Sequence, residues 1–305
     1  MKKQVKKNVI KDIAQKLKAK PSFIEKDLYA LGVLKELASI DYDGAKLIFT
    51  GGTCLSKAYN IIKRFSEDID FRIVTSTNFT RGQKKAFREF LIQKLKTLPD
   101  IKFLEDTLVK KNESGFFSFY VEYPKNFAVD NALRDGLKLE FTFENVLMPT
   151  NLCKIESIIA KYIKDAETAE IDCISPIEIG ADKLSALMWR IDIKDRTKEA
   201  GSTANDATII RHLHDLAALE TLILKDDFRK CLEQSYATDK GRGGANADIS
   251  LEEFAQKTLE KFKTDKIYEK EYKDFVEALS YASEAETITF TTAINAFKRI
   301  VEFIK

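Results

Sequence analysis

The stretch Asp68-Ile69-Asp70-Phe71 sets two carboxylates two residues apart within an alternating run, DIDFRIV (68 to 74). On a strand, residues i and i+2 share a face, so both acids point one way and Ile69 and Phe71 the other. Carboxylates side by side repel unless cations or donors compensate. A magnesium ion does this, because its octahedral shell accepts carboxylates together with substrate phosphates. The solvated acidic face of an edge strand would carry the same letters. Upstream, KLIFT (46 to 50) runs into Gly51-Gly52-Thr53. Glycines between a strand and a helix let the backbone approach a ligand, and free amides there favour phosphate oxygens. A turn that merely needs positive φ would read identically.

Taken together the two pieces say more. Between them, TCLSKAYNIIK reads as a helix of about three turns, with Leu55, Ala58, Tyr59 and Ile62 at i, i+3, i+4 and i+7. Such a helix returns the chain so that the DIDF strand can lie beside KLIFT. Amides and carboxylates then face one place, phosphates at one end and metals at the other. That is the physical logic of metal-assisted nucleotidyl transfer.

The flanking elements must position this unit. Residues 22 to 39 read as a helix with Ser22 as N-cap and Glu25 at the capping-box spacing. A second helix spans 80 to 97, and after Pro99 come three strand candidates, FLEDTLVKK, FFSFYVEY and LKLEFTF. IDCIS, ending near 175, is a possible further strand. From Pro176, which suits a first helical turn, the chain reads as helices: PIEIGADKLSALMWRI, ATIIRHLHDLAALETLIL, and two or three amphipathic ones after Ser250. Polar loops lie at 194 to 206 and, rich in glycine, at 239 to 248. The fold class is α/β (α+β): an N-terminal domain, residues 1–160, with a small mixed sheet flanked by helices, and a mainly helical C-terminal domain, residues 161–305.

Composition narrows the chemistry. With 44% apolar and 32% charged residues over 305 positions, the chain is a globular one with room for two domains. No apolar run is long enough for a membrane span, and the N-terminus lacks the apolar stretch of a signal peptide, so the expected location is cytoplasmic. Cys54, Cys153, Cys173 and Cys231 are scattered and only two histidines are present, which argues against a zinc site or a disulfide scaffold. Any metal would be held by carboxylates, which favours magnesium, manganese or calcium. The net charge of +2 hides a basic arm: residues 1–20 hold eight lysines and one aspartate. Such an arm can meet nucleic-acid phosphates or be a solvated helix face.

The run FTGGTCLSKAYNIIKRFSEDIDF resembles the first motif of nucleotidyltransferases of the DNA polymerase β type. Its form, with Arg64, Ser66 and Glu67 ahead of the acids, is similar to the AbiEii/AbiGii toxin family. IEKDLYALGVLKEL (24 to 37), EIGADKLSALMWR and RHLHDLAAL (211 to 219) resemble that family's N-terminal helix, lysine helix and last motif. The resemblance extends over roughly residues 20 to 225. It implies a nucleotidyltransferase fold, with Asp68 and Asp70 as catalytic metal ligands. Glu140 is the candidate third carboxylate, since alternation puts Lys138 and Glu140 on one face and Leu139 and Phe141 on the other; it could also be a surface acid. Gly51, Gly52, Thr53, Ser56, Arg64 and Ser66 would bind nucleotide.

The resemblance further implies that Lys183 contacts the triphosphate from the C-terminal domain, unless it pairs with Asp182 or Glu178. Asp215 would be the acid of the last motif and would share the same cleft, unless it is only an ion pair with Arg211. Three positions depart from the family pattern, one being His214, which replaces a common aromatic. His212 stands where the last motif has its first Asp and is expected on the helix surface, and Gly52 stands where a serine is common, leaving any hydroxyl to Thr53 or Ser56. The implied activity is Mg2+- (or Mn2+-) dependent transfer of NMP from an NTP to an acceptor. RNA such as tRNA is the first acceptor expected, in a type IV toxin–antitoxin or phage-defence system with a cognate antitoxin. The alternatives are transfer to a small molecule or protein, or nucleotide or nucleic-acid binding without catalysis.

Overall fold

Two helices precede the first strand in the computed structural model, which describes residues 7–66, 68–128, 135–164, 166–240 and 249–305. Glu67, residues 1–6 of the basic arm and residues 241–248 of the glycine-rich loop lie outside the described residues. Helix α1 (Lys7–Lys16) buries Ile10, Ile13 and Ala14 and leaves Lys7, Lys11 and Lys16 exposed. Helix α2 (Pro21–Ala38) does not use the expected capping box. Its N-cap is Lys20, with no side-chain bond, and Pro21 fills the first turn, where a missing N–H costs nothing. Glu25 is instead drawn to another part of the chain: its carboxylate accepts from the main-chain N–H of Asn126 at 3.0 Å and of Phe127 at 3.4 Å.

Strand β1 (Ala45–Thr50) runs into α3 (Gly51–Lys57), β2 (Asp68–Thr75) and α4 (Arg81–Lys96). Four strands follow: β3 (Lys102–Lys111), β4 (Phe116–Glu122), β5 (Leu137–Phe143) and β6 (Asn151–Glu156). β7 (Thr168–Cys173) is the last strand. All seven form one mixed sheet in the order β3-β4-β5-β2-β1-β7-β6. The β2–β5 and β1–β7 pairs are parallel and the others antiparallel. β2 is therefore an interior strand, which removes the edge-strand explanation of Asp68 and Asp70.

Helix α3 is shorter than its apolar spacing suggests. It ends at Lys57, and Asn60 adopts a left-handed backbone (φ 53°), a conformation asparagine tolerates better than most residues. Leu55 and Ile62 are fully buried all the same, so the spacing reported burial rather than helix. The end of α3 is held by an ion pair between Lys57 and Asp27 of α2, whose other oxygen accepts from the Ile158 N–H at 2.7 Å.

Register is set by aromatic residues. Phe117, Phe141, Phe71 and Phe49 lie opposite one another on β4, β5, β2 and β1. Their ring centroids are 4.8, 5.7 and 5.4 Å apart along the row, and none is more than 2% exposed. α4 covers this face, with Phe87 edge-on to Phe143 at 5.8 Å.

A second compact unit comprises Ser175–Lys305 together with Ile61–Arg64. The division falls after Ile174 rather than after residue 160, because β6 pairs with β7 and β7 with β1. This unit contains α5 (Pro176–Asp192), α6 (Arg211–Ile223), α7 (Asp226–Lys240), α8 (Leu251–Thr264), α9 (Ile267–Phe275) and α10 (Phe290–Ile304). Ser175 caps α5 by accepting from the Ile177 N–H. Ile61–Arg64 joins it through the Arg64–Ser280 bridge and the Tyr281 N–H donating to the Lys63 carbonyl at 2.9 Å. Among the described residues, no helix is long and apolar enough to cross a membrane.

Truncating the centre of the aromatic row should be costly. Phe141→Ala is expected to lose about 3–5 kcal/mol in denaturant unfolding, and Phe141→Leu clearly less.

Candidate active site

The face of the sheet opposite the phenylalanines carries polar side chains in two rows. Tyr120, Lys138 and Asp68 are register partners across β4, β5 and β2. One step along, Ser118, Glu140, Asp70 and Thr50 are register partners across β4, β5, β2 and β1. The alternation that buries Ile69, Phe71, Leu139 and Phe141 thus brings Asp68, Asp70 and Glu140 to one surface.

Gly51 stands at the end of β1 beside Asp70. Its φ of +77° suits glycine, and a β-carbon there would overlap the Asp70 carboxylate, coming within 2.8 Å of Cγ and 3.0 Å of Cβ. The glycine therefore makes room for an acid as well as a turn. Thr53 has its hydroxyl committed: it is 2% exposed and donates to the main-chain carbonyl of Asp68. Ser56 donates to the Thr53 carbonyl at 3.0 Å, Gly52 is buried, and Ser66 is half-buried. Thr53 so ties the glycine turn to the first residue of the acidic strand.

Glu140 is engaged by a residue to which the sequence reading gave no role. Its carboxylate forms an ion pair with Lys138, both side chains being about a quarter exposed (24% and 29%). Burial works against the Lys138 ammonium, yet Glu140 and Asp68 outweigh it and hold its pKa above the ordinary lysine value. Among the described residues, no three His, Cys, Asp or Glu side chains converge closely enough to hold a metal ion. Asp68, Asp70 and Glu140 are neighbours in register rather than a closed cage. As a donor set they fit a hard divalent cation: oxygen ligands on one face, with Gly51 admitting the Asp70 carboxylate to it.

The other predicted residues meet in the second unit. Asp215, fully buried, accepts from Arg64 Nε at 2.9 Å and Nη2 at 2.6 Å, from Lys183 Nζ at 2.9 Å, and lies 3.1 Å from His214 Nδ1. Its partners are thus Arg64 and Lys183, from far along the chain, rather than Arg211, whose Nε donates to the Phe275 carbonyl. Lys183 pairs with Asp215 and not with Asp182, which accepts from Ser235. Arg64, read as a nucleotide contact, is 3% exposed and spends its guanidinium on this bidentate grip. Burial would raise the Asp215 carboxyl, but Arg64 and then Lys183 hold it well below the usual carboxylate range. His212 is not a plain surface residue, since its Nδ1 lies 3.3 Å from the Lys183 carbonyl. Burial and then the Lys183 charge push its pKa down to about 3.

The family model of the nucleotidyl transferase AbiEii toxin of type IV toxin–antitoxin systems matches residues 32–302. The chain belongs to this family. It is therefore a nucleotidyltransferase toxin by family, with the mixed sheet that the sequence led one to expect. Among solved structures it is similar to MenT4, a nucleotidyltransferase toxin from Mycobacterium tuberculosis H37Rv. The two share 13% identity and a TM-score of 0.59 over 99% of this chain and 100% of that one, a likeness of fold. No curated protein matches the chain in sequence.

The Asp215 cluster predicts a pH dependence. Both Asp215 and His212 have depressed pKa values in the fold, so each stabilises it above its unfolded value and loses that contribution as pH falls. For Asp215 the loss begins below an unfolded pKa of about 3.9. For His212 it begins lower than about pH 6.5, where the unfolded chain takes up a proton that the fold excludes. Stability should fall by on the order of 1 kcal/mol between pH 6.5 and 5 from this residue. His212→Gln, followed by urea unfolding at both pH values, should flatten that window.

Proposed function

We propose that the protein transfers NMP from an NTP to an acceptor hydroxyl in a divalent-metal-dependent reaction, with RNA such as tRNA as the acceptor. The observation that carries this reading is the pairing of Asp68 and Asp70 on one interior strand, beside a glycine turn built around the Asp70 carboxylate. Asp68 and Asp70, with Glu140 on the neighbouring strand, would hold Mg2+ or Mn2+. Bound there, the ions would supply Lewis-acid activation of the attacking hydroxyl and neutralise the leaving pyrophosphate.

The chain's own residues have simpler tasks. Gly51 and Gly52 would offer main-chain N–H groups to phosphate oxygens, while Thr53 and Ser56 fix the turn. Lys183 and Asp215 keep, within this proposal, the roles of triphosphate contact and last-motif acid that the resemblance implies. Arg64 holds Asp215 in place. In the reaction the acceptor oxygen bonds to the α-phosphorus, the bond to the bridging oxygen breaks, and pyrophosphate departs as the hydroxyl proton is released. The RNA reading is supported by the basic N-terminal segment, whose Lys7, Lys11, Lys16, Lys18 and Lys20 are exposed. A cognate antitoxin is part of the same proposal and follows from the family.

The test is labelling of total RNA, protein and small-molecule extract with each α-labelled NTP in magnesium. Label in RNA is expected, and Asp68→Ala with Asp70→Ala should reduce it to background. Label in protein or in small molecules would replace the acceptor. Equal labelling by the double variant would remove the assignment of these two acids.

A further inference from the structure

Lys138 occupies a position that a metal site would not ordinarily leave to a fixed cation. It is the register partner of Asp68 and lies two residues from Glu140, whose register partner is Asp70. Its ammonium pairs with Glu140. The opposite face of β5 is filled by Leu137, Leu139 and Phe141, each at most 1% exposed, so the backbone has no freedom to move Lys138 elsewhere. The stem is pinned at the acids while the side chain keeps enough exposure to swing.

Three carboxylates in neighbouring register positions would repel strongly if no cation stood among them. One ammonium on the same face relieves part of that repulsion. It also competes for the oxygens of Glu140 that a divalent ion would need. An ion arriving at Asp68 and Asp70 meets a resident positive charge, and Glu140 can ligate only after letting Lys138 go.

We propose that Lys138 is a tethered counter-ion of the acidic row, one that stabilises the metal-free fold and sets a low metal affinity by holding Glu140. This rests on the metal-dependent reading above. Its consequence is a division of states. Without an ion, Lys138 and Glu140 are paired; with one, Lys138 is released toward Tyr120 and Ser118 on β4, where a phosphate or an acceptor would find a free ammonium. Lys138 is thus a positioning residue for Glu140.

Direct Mn2+ binding, read by electron paramagnetic resonance of the full-length protein without NTP, tests it. Lys138→Met should bind Mn2+ about tenfold more tightly than wild type, the order expected from removing one charge at contact distance in a partly solvated site. Lys138→Arg should stay near wild type. Thermal melting gives a second readout: Lys138→Met should melt lower than wild type without metal and gain more on adding Mn2+. Lys138→Gln serves in both measurements should the methionine variant fold poorly. Unchanged or weaker binding in Lys138→Met, with binding lost in Asp68→Asn/Asp70→Asn, would overturn the role of Lys138 and leave the metal site standing. Binding as tight in Asp68→Asn/Asp70→Asn as in wild type, or in no variant at all, would overturn the metal site and this inference with it.

Discussion

The row Phe117–Phe141–Phe71–Phe49 is the constraint on which the first unit depends. Strand register has a period of two, so a slip by one residue turns every side chain over. In β2 such a slip would place Ile69 and Phe71 in solvent and bury Asp68 and Asp70 among phenyl rings. Burying unpaired carboxylates costs several kcal/mol each, and the row would lose its stacked contacts as well. Packing of four apolar rings therefore decides where three acids stand. The acids and the stacked rings stand on opposite faces of the same sheet.

Charge is managed differently in the two units. In the second, Asp215 is fully buried and saturated, with Arg64 in a bidentate grip, Lys183 on the same carboxylate and His214 alongside. Such a cluster favours one arrangement, because removing any one partner strands a buried charge. In the first unit Asp68, Asp70 and Glu140 are half-exposed, and Glu140 pairs with Lys138 on the same face. Asp27 belongs with the rigid class: it anchors α3 through Lys57 and, through the Ile158 N–H, a second stretch of chain, so the glycine turn is braced from behind.

Much of this was legible in the letters. The alternation in DIDFRIV and LKLEFTF set which acids share a face, and Gly51-Gly52 marked the turn beside them. What was not legible depended on partners distant in sequence. Glu25 looked like a capping acid, yet the amides of Asn126 and Phe127 claimed it, while Pro21 made a side-chain cap unnecessary. Asp215 offered Arg211 one turn away, but the fold supplied Arg64 from 151 residues upstream. Leu55 to Ile62 kept helical spacing although the chain leaves the helix at Lys57, since burial alone selects apolar residues. Lys138 was placed on one face with Glu140, but the ion pair between them became visible only in the structure.

The central claim is that Asp68 and Asp70 share a divalent ion. Anomalous diffraction from crystals grown with Mn2+ and a non-hydrolysable NTP tests it most directly. The account predicts an anomalous peak bridging the two carboxylates, with the α-phosphate beside it. A peak elsewhere, or a bound triphosphate with no metal at Asp68 and Asp70, would contradict it.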